Sequence, residues 1–186
     1  MQRKNFGNMD CPVARSLERV GEWWSILILR DAFHGLTRFD DFQQSLEIAP
    51  NMLTRRLNAL VEGGLLARRR YSEHPPRDEY VLTERGRDFR PVLLALLAWG
   101  NRHFAPEGTS VQLVERATGR IAEPVMVDQV SGRPLAGLEF ALVPGPAAGE
   151  RTRRRLAFSA QGRGSAATPS PRQTVRTARR KGPGAR

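Results

Sequence analysis

The chain is expected to be mainly α with a small β-hairpin wing, an α+β winged helix-turn-helix, followed by a small β appendage and a disordered basic tail. Three observations predict this. The stretch from Thr37 to Leu66, TRFDDFQQSLEIAPNMLTRRLNALVEGGLL, reads as two helices around a tight turn. Two short strand-like segments follow directly, LLARRRY (65–71) and EYVLT (79–83), separated by SEHPPRD. After them comes TERGRDFRPVLLALLAWGNRHF, a long and strongly apolar helical run. Helix-turn-helix, hairpin, long helix is the element order of a winged helix.

Residues 1–10 form a short arm whose Phe6 and Met9 can dock on the body or on a partner chain. Cys11-Pro12 opens a first helix with Val13, Leu17 and Val20 on one face, and Gly21 closes it. The next helix, EWWSILILRDAF, carries large apolar groups on several sides, so it is expected to be buried nearly all round, Trp23 and Trp24 included.

In the helix-turn-helix, Thr37 with Asp40 three residues on reads as a variant capping box, and Phe39, Phe42 and Leu46 form the apolar stripe. Pro50 suits the first turn of the second helix, which places Leu53, Leu57 and Leu60 inward and ends at Gly63-Gly64. Its opposite face carries Asn51, Thr54, Arg55 and Asn58, with Arg56 on the flank. Arginine pairs with guanine or phosphate, asparagine with adenine, and threonine with either. A solvated face more often mixes Glu with Lys, yet no acid stands between Glu47 and Glu62.

The hairpin bears Arg68, Arg69, Arg70 and Arg77. Alternation puts Leu66, Arg68 and Arg70 on one side and Ala67, Arg69 and Tyr71 on the other. The two prolines are expected to keep the tip out of the ladder. DNA contacts are therefore assigned to Asn51, Thr54, Arg55, Arg56 and Asn58 on the helix, and to Arg68, Arg70 and Arg77 on the wing.

Along the long helix, Phe89, Val92, Leu93, Leu96 and Gly100 repeat at helical spacing, and Pro91 either starts or kinks it. Leu94, Leu97, Ala98 and Trp99 are surplus to one stripe and need a second burial partner, the same helix of another copy. Residues 107–143 change character: VERATGR (114–120) recurs thirteen residues later as VDQVSGR (127–133), which suggests turns joining short strands. A structural spur is the simpler reading of that appendage, and ligand sensing is the alternative. Residues 144–186 form an Arg-rich tail with too little apolar surface to fold alone.

The span from Cys11 to about Trp99 resembles the HxlR family of bacterial winged-helix regulators. The resemblance is carried by CPVARSLERVGEWW, LILRDAFHGLTRFDDFQ, IAPNMLTRRLNALVEGGLL, YSEHPPRDEYVLTERG and LLALLAWG, in collinear order. It implies one domain over residues 11–106 and a homodimeric transcription factor, contacting DNA through the helix at Asn51 to Asn58 and through the wing. The cysteine at the start of the first helix is an oxidant or electrophile sensor in some members, which makes Cys11 a candidate redox sensor. A thiol at a helix N-terminus is biased toward thiolate, although cysteine is also commonly a small buried hydrophobe. Where this sequence has Ala49 the family often has Ser, so a helix cap and a phosphate contact are absent. The appendage and tail lie outside the resemblance.

Charge is unevenly spread. The net +11 of the chain resides in residues 151–186, which hold 11 Arg/Lys and no acid; the other 19 basic residues are balanced by 19 acidic ones. A single cysteine excludes an internal disulfide framework. With neither an apolar leader nor a membrane-length run, a bacterial cytoplasmic protein is expected. His34, His74 and His103 lack metal-ligand spacing, and no nucleophile elbow or phosphate loop is present, so no catalytic residue, metal or cofactor is assigned. The expected partners are double-stranded DNA, a second copy and a small-molecule or oxidant effector, with no membrane. The reading is a DNA-binding transcriptional regulator, a repressor by preference, on a near-palindromic operator. The alternatives are a dimeric protein-interaction module and sequence-blind nucleic-acid binding through the tail.

Overall fold

In the computed structural model, residues 6–137 and 139–162 are described. The chain divides into two units, Met1–Leu142 and Val143–Arg186. In the first, α1 (Pro12–Val20), α2 (Trp23–Phe33), α3 (Phe39–Leu46) and α4 (Pro50–Glu62) precede the hairpin β1 (Leu66–Glu73) and β2 (Pro76–Leu82). A short α5 (Glu84–Arg87) and the long α6 (Arg90–His103) follow. The winged helix-turn-helix expected from the sequence is the fold observed.

The core is small and sits where α2, α3 and α4 meet. Ile28, Leu29, Phe42, Leu53, Leu57 and Leu60 are completely buried, and Leu66 is nearly so. Apolar burial at this density is the main stabilising term of a domain this size. Asp31 is also buried, held by Arg30 Nε at 2.8 Å and by the Ser45 hydroxyl at 2.7 Å, so its charge is matched rather than stranded.

Several elements differ from the sequence expectation. Trp23 is 74% exposed, while Trp24 packs on the core as a partly buried side chain. The rest of α2 is buried or half-buried, as expected, and it packs against α1, α3, α4, α6 and β2; only its first residue stands exposed. Thr37 is no helix cap: Arg38 holds that position without a side-chain cap bond. The Thr37 carbonyl instead accepts the Tyr80 N–H at 2.7 Å and Arg38 bridges Glu79, so this segment is extended and lies along β2. The hairpin also runs further than expected. Ser72 pairs with Arg77 and Glu73 with Pro76, because a proline at the first residue of a strand need not donate to the ladder.

The turn after β2 is set by Thr83. Its hydroxyl donates to the Gly64 carbonyl at 2.7 Å and accepts the Gly86 N–H at 3.0 Å, capping α5. Pro91 stands in the first turn of α6 and so starts that helix rather than kinking it.

Beyond α6 the thirteen-residue repeat is visible in the backbone. Val114 bridges Ile121 and Val127 bridges Pro134. In each unit the glycine N–H bonds back four residues, Gly119 to Glu115 and Gly132 to Asp128, both at 2.8 Å. Gly119 and Gly132 have φ of 70° and 67°, the left-handed region that glycine enters freely. These are isolated bridges, not strands. Leu97, Ala98 and Asn101 of α6 and residues from Thr109 to Val125 line a cavity of about 430 Å³.

In the second unit, Glu150–Gly162 form a helix, α7, inside the stretch expected to lack structure. Arg, Ala, Gln and Glu are good helix formers, and Glu150 contacts Arg154 one turn on, which offsets the scarcity of apolar groups. The rest of the expected disordered tail, residues 163–186, lies outside the described residues. No described helix is long and apolar enough to cross a membrane.

Candidate nucleic-acid interface

The recognition surface is built from the two sides of α4. Glu47 takes a left-handed conformation (φ 49°) at the end of α3, and buried Ile48 anchors the turn. Ala49 is the N-cap of α4 with no side-chain cap bond. Leu53, Leu57 and Leu60 point into the core, which fixes the rotation of α4 and turns Asn51, Thr54 and Arg55 to solvent.

Those three side chains differ in freedom. The Thr54 hydroxyl donates back to the Pro50 carbonyl at 2.8 Å, and Asn51 Oδ1 accepts the Met52 N–H at 2.7 Å. Both are thereby held in one rotamer on the exposed face. Arg55 forms no ion pair among the described residues and is an exposed cation on that face. Asn58 is half-buried and its Oδ1 accepts from Arg68 Nη2, which joins α4 to the wing. Arg68 also lies 5.8 Å over the Tyr80 ring, a cation–π contact that holds its stem to the sheet.

Arg56 does not belong to this surface. It is 8% exposed, and its Nη2 lies 2.9 Å from a Glu22 carboxylate oxygen. Its place one residue before Leu57 turns it inward, so it joins α4 to the residue that caps α2 rather than lying on the flank of the exposed face, where the sequence put it. Arg70 is also committed: its Nε bonds Asp78 at 2.6 Å and its Nη1 lies 3.5 Å from Glu73. The Asp78 carboxylate raises the Arg70 pKa, first through that hydrogen bond and then through its charge. Arg70, assigned to DNA from the sequence, is thus ion-paired on the wing surface with its side chain 44% exposed. Arg77 is exposed near the tip and forms no ion pair among the described residues.

Two further arginines belong to the wing surface: Arg69, which the sequence places on the hairpin without a DNA role, and Arg38, which it does not single out. Arg69 bonds Glu79 at 2.7 Å, holding that carboxyl below the usual carboxylate range, with the Thr37 hydroxyl as the next cause. Arg38 lies 4.8 Å over the Tyr71 ring and so brings a cation from before α3 onto the hairpin. The cross-strand Arg-Glu and Arg-Asp pairs were open to detection from hairpin register; the Arg38 contact was not, because it depends on the third, extended segment.

The four residues expected at an interface between copies are divided. Leu97 and Ala98 line the cavity against residues 109–125 of the same chain. Trp99 is 55% exposed, with its ring 4.8 Å from Phe104, and Leu94 is half-buried. The open apolar face of α6 is instead Val92, Leu96 and Trp99. Val92 and Leu96 share an apolar groove of about 600 Å³ with Val13 and Leu17 of α1. Cys11 is the half-buried N-cap of α1, next in sequence to Pro12, which lines that groove. Among the described residues no three His, Cys, Asp or Glu side chains come together to hold a metal ion.

Comparison with known proteins agrees with this geometry. The model of the HxlR-like helix-turn-helix family matches residues 19–108. The HTH-type transcriptional regulator Rv3095 of Mycobacterium tuberculosis, itself uncharacterized, is 40% identical over 135 residues, covering 72% of this chain and 85% of the relative. Among solved structures, PA1374 of Pseudomonas aeruginosa, described as a candidate transcription factor, is 61% identical. It covers 78% of this chain and all of its own, with a TM-score of 0.58. PA1607, described in the same terms, is 40% identical over 76% of this chain and all of its own, with a TM-score of 0.69. The chain belongs to the HxlR-like helix-turn-helix family of transcriptional regulators.

Proposed function

We propose that this protein is a sequence-specific DNA-binding repressor that acts as a homodimer by occupying a near-palindromic operator. The observation that carries this reading is the exposed face of α4. Asn51 and Thr54 are fixed there by bonds to their own helix, Arg55 is free to reach a base edge, and the Asn58–Arg68 bond fastens the wing beside them. Such a helix entering the major groove supplies direct readout, and the wing supplies backbone contact.

The dimer reading is supported by the groove between α1 and α6. Val13 is 67% exposed, Leu17 49%, Val92 47% and Leu96 41%, a continuous apolar face of the kind monomers rarely leave open. A second copy across a two-fold axis covers it with the same residues. We assign the signal input to this interface: modification of Cys11, next in sequence to Pro12 of the groove, changes the angle between the two reading heads.

The protein-interaction reading draws its support from the ion-paired wing, where Arg69 and Arg70 face Glu79 and Asp78. The two readings separate on Arg55→Ala, tested by anisotropy against the DNA upstream of the protein's own gene with excess random competitor. Loss of about 1–3 kcal/mol of specific binding supports the operator reading; wild-type binding by a folded variant rejects it.

A further inference from the structure

The winged-helix span, residues 11–106, holds 14 basic and 12 acidic residues, a net charge of only +2. Arg56 is paired with Glu22, Arg69 with Glu79 and Arg70 with Asp78. Over residues 1–150 the basic and acidic residues are equal in number, at 19 each. Yet most affinity for a nucleic-acid duplex comes from cations that displace the counterions of its phosphates.

The charge lies in the second unit. On α7, Arg151, Arg154, Arg155 and Phe158 fall at i, i+3, i+4 and i+7, so they share one face, and all four are exposed. Phe158 is 80% exposed, an aromatic ring set among guanidinium groups. Arg154 pairs with Glu150; both side chains are more than three-quarters exposed, so their pairing yields readily to a phosphate. Arg153 lies off the face, with its Nε donating to the Ala148 carbonyl at 3.0 Å. No acid follows for the remainder of the chain.

We propose that the Arg151–Arg154–Arg155 face of α7 is a second, sequence-independent DNA-binding site that grips phosphates while α4 reads bases. This rests on the DNA-binding reading above and divides its labour: specificity in the weakly charged winged helix, counterion release in α7. The planar guanidinium suits phosphate, and the helix presents three of them over little more than one turn.

The test uses the full chain with Arg151→Gln, Arg154→Gln and Arg155→Gln combined. Glutamine keeps helix propensity close to that of arginine, so α7 is preserved while its charge is removed. The probe is a random-sequence duplex of three helical turns, titrated from about 50 to about 200 mM salt. The slope of log K against log salt should flatten by about 0.9 for each phosphate no longer gripped, as much as about 2.7 for all three. The matching triple Arg→Lys variant should keep the original slope. An unchanged slope in the Gln variant overturns the proposal, as does an equal flattening in the Lys variant. So does a Gln variant that binds DNA normally but no longer binds phosphatidylglycerol vesicles, since α7 would then be a membrane-binding helix. Failure of operator reading shows separately: the unsubstituted protein would bind every duplex alike while α7 still set the salt slope.

Discussion

The Arg56 guanidinium lies 2.9 Å from the Glu22 carboxylate, and this pair joins the recognition helix to the first turn of α2. Its neighbour Arg55 points the opposite way, into solvent. Two adjacent arginines thus serve different ends. Arg56→Ala should lower stability by about 1–3 kcal/mol, because the variant lacks both a buried charge-assisted bond and its packed stem. Arg55→Ala should leave stability within about 0.5 kcal/mol, as an exposed substitution does. Urea unfolding of both variants checks this; equal penalties would contradict the division.

Ala49 caps α4 with no side-chain bond to its free N–H groups, although its backbone is extended as a cap requires (φ −61°, ψ 137°). Ala49→Ser should therefore stabilise the domain by about 1 kcal/mol, read as a raised thermal midpoint. If α4 enters the major groove as proposed, it should also strengthen DNA binding, because the hydroxyl would stand at the helix end nearest the phosphates. A lowered midpoint would show that the cap geometry is wrong.

Glu79 ties the wing to the segment before α3, and its carboxyl is held below the usual range by Arg69 and then by the Thr37 hydroxyl. A carboxylate with a depressed folded pKa stabilises the fold above its unfolded pKa, and that contribution fades as pH falls through the folded value. The thermal midpoint of wild type should thus exceed that of Glu79→Gln at neutral pH, and the gap should close below about pH 4. A gap that stays constant down to about pH 3 would assign the difference to packing.

Gly86 is buried beneath the wing, where an added Cβ would sit 2.1 Å from the Leu65 carbonyl oxygen. That carbonyl is fixed, accepting the Thr83 N–H at 3.1 Å. Gly86→Ala should cost about 1–3 kcal/mol through overpacking, measured by chemical denaturation. A neutral substitution would mean that β2 and α5 shift more freely than this geometry allows.

The parts of the fold that are legible in the sequence are those set by local periodicity. The leucine spacing in α4 defines its inward face, and so its outward face at Asn51, Thr54 and Arg55. Pro50 and Pro91 mark helix starts for steric reasons that any context shares. What fails depends on distant partners. Arg56 reads as a flank residue because nothing in its own helix reveals Glu22, 34 residues earlier. Thr37 and Asp40 fit a capping box, but β2 claims the Thr37 backbone. Trp23 reads as core from apolar character alone, which does not say which end of a helix outruns its neighbours. The helix at Glu150–Gly162 escapes notice because composition argues against a packed core, and α7 needs little packing to form.

Whether α4 reads bases is decided by selecting binding sites from a random-sequence duplex library, with the full-length protein and with Arg55→Ala. The expected outcome is enrichment of a near-palindromic site whose half-sites lie about 10–10.5 base pairs apart, or a multiple of that. The Arg55→Ala selection should lose information at particular base pairs within each half-site. Failure of the wild-type protein to enrich any sequence, or an identical site from the folded variant, would show that α4 does not read DNA.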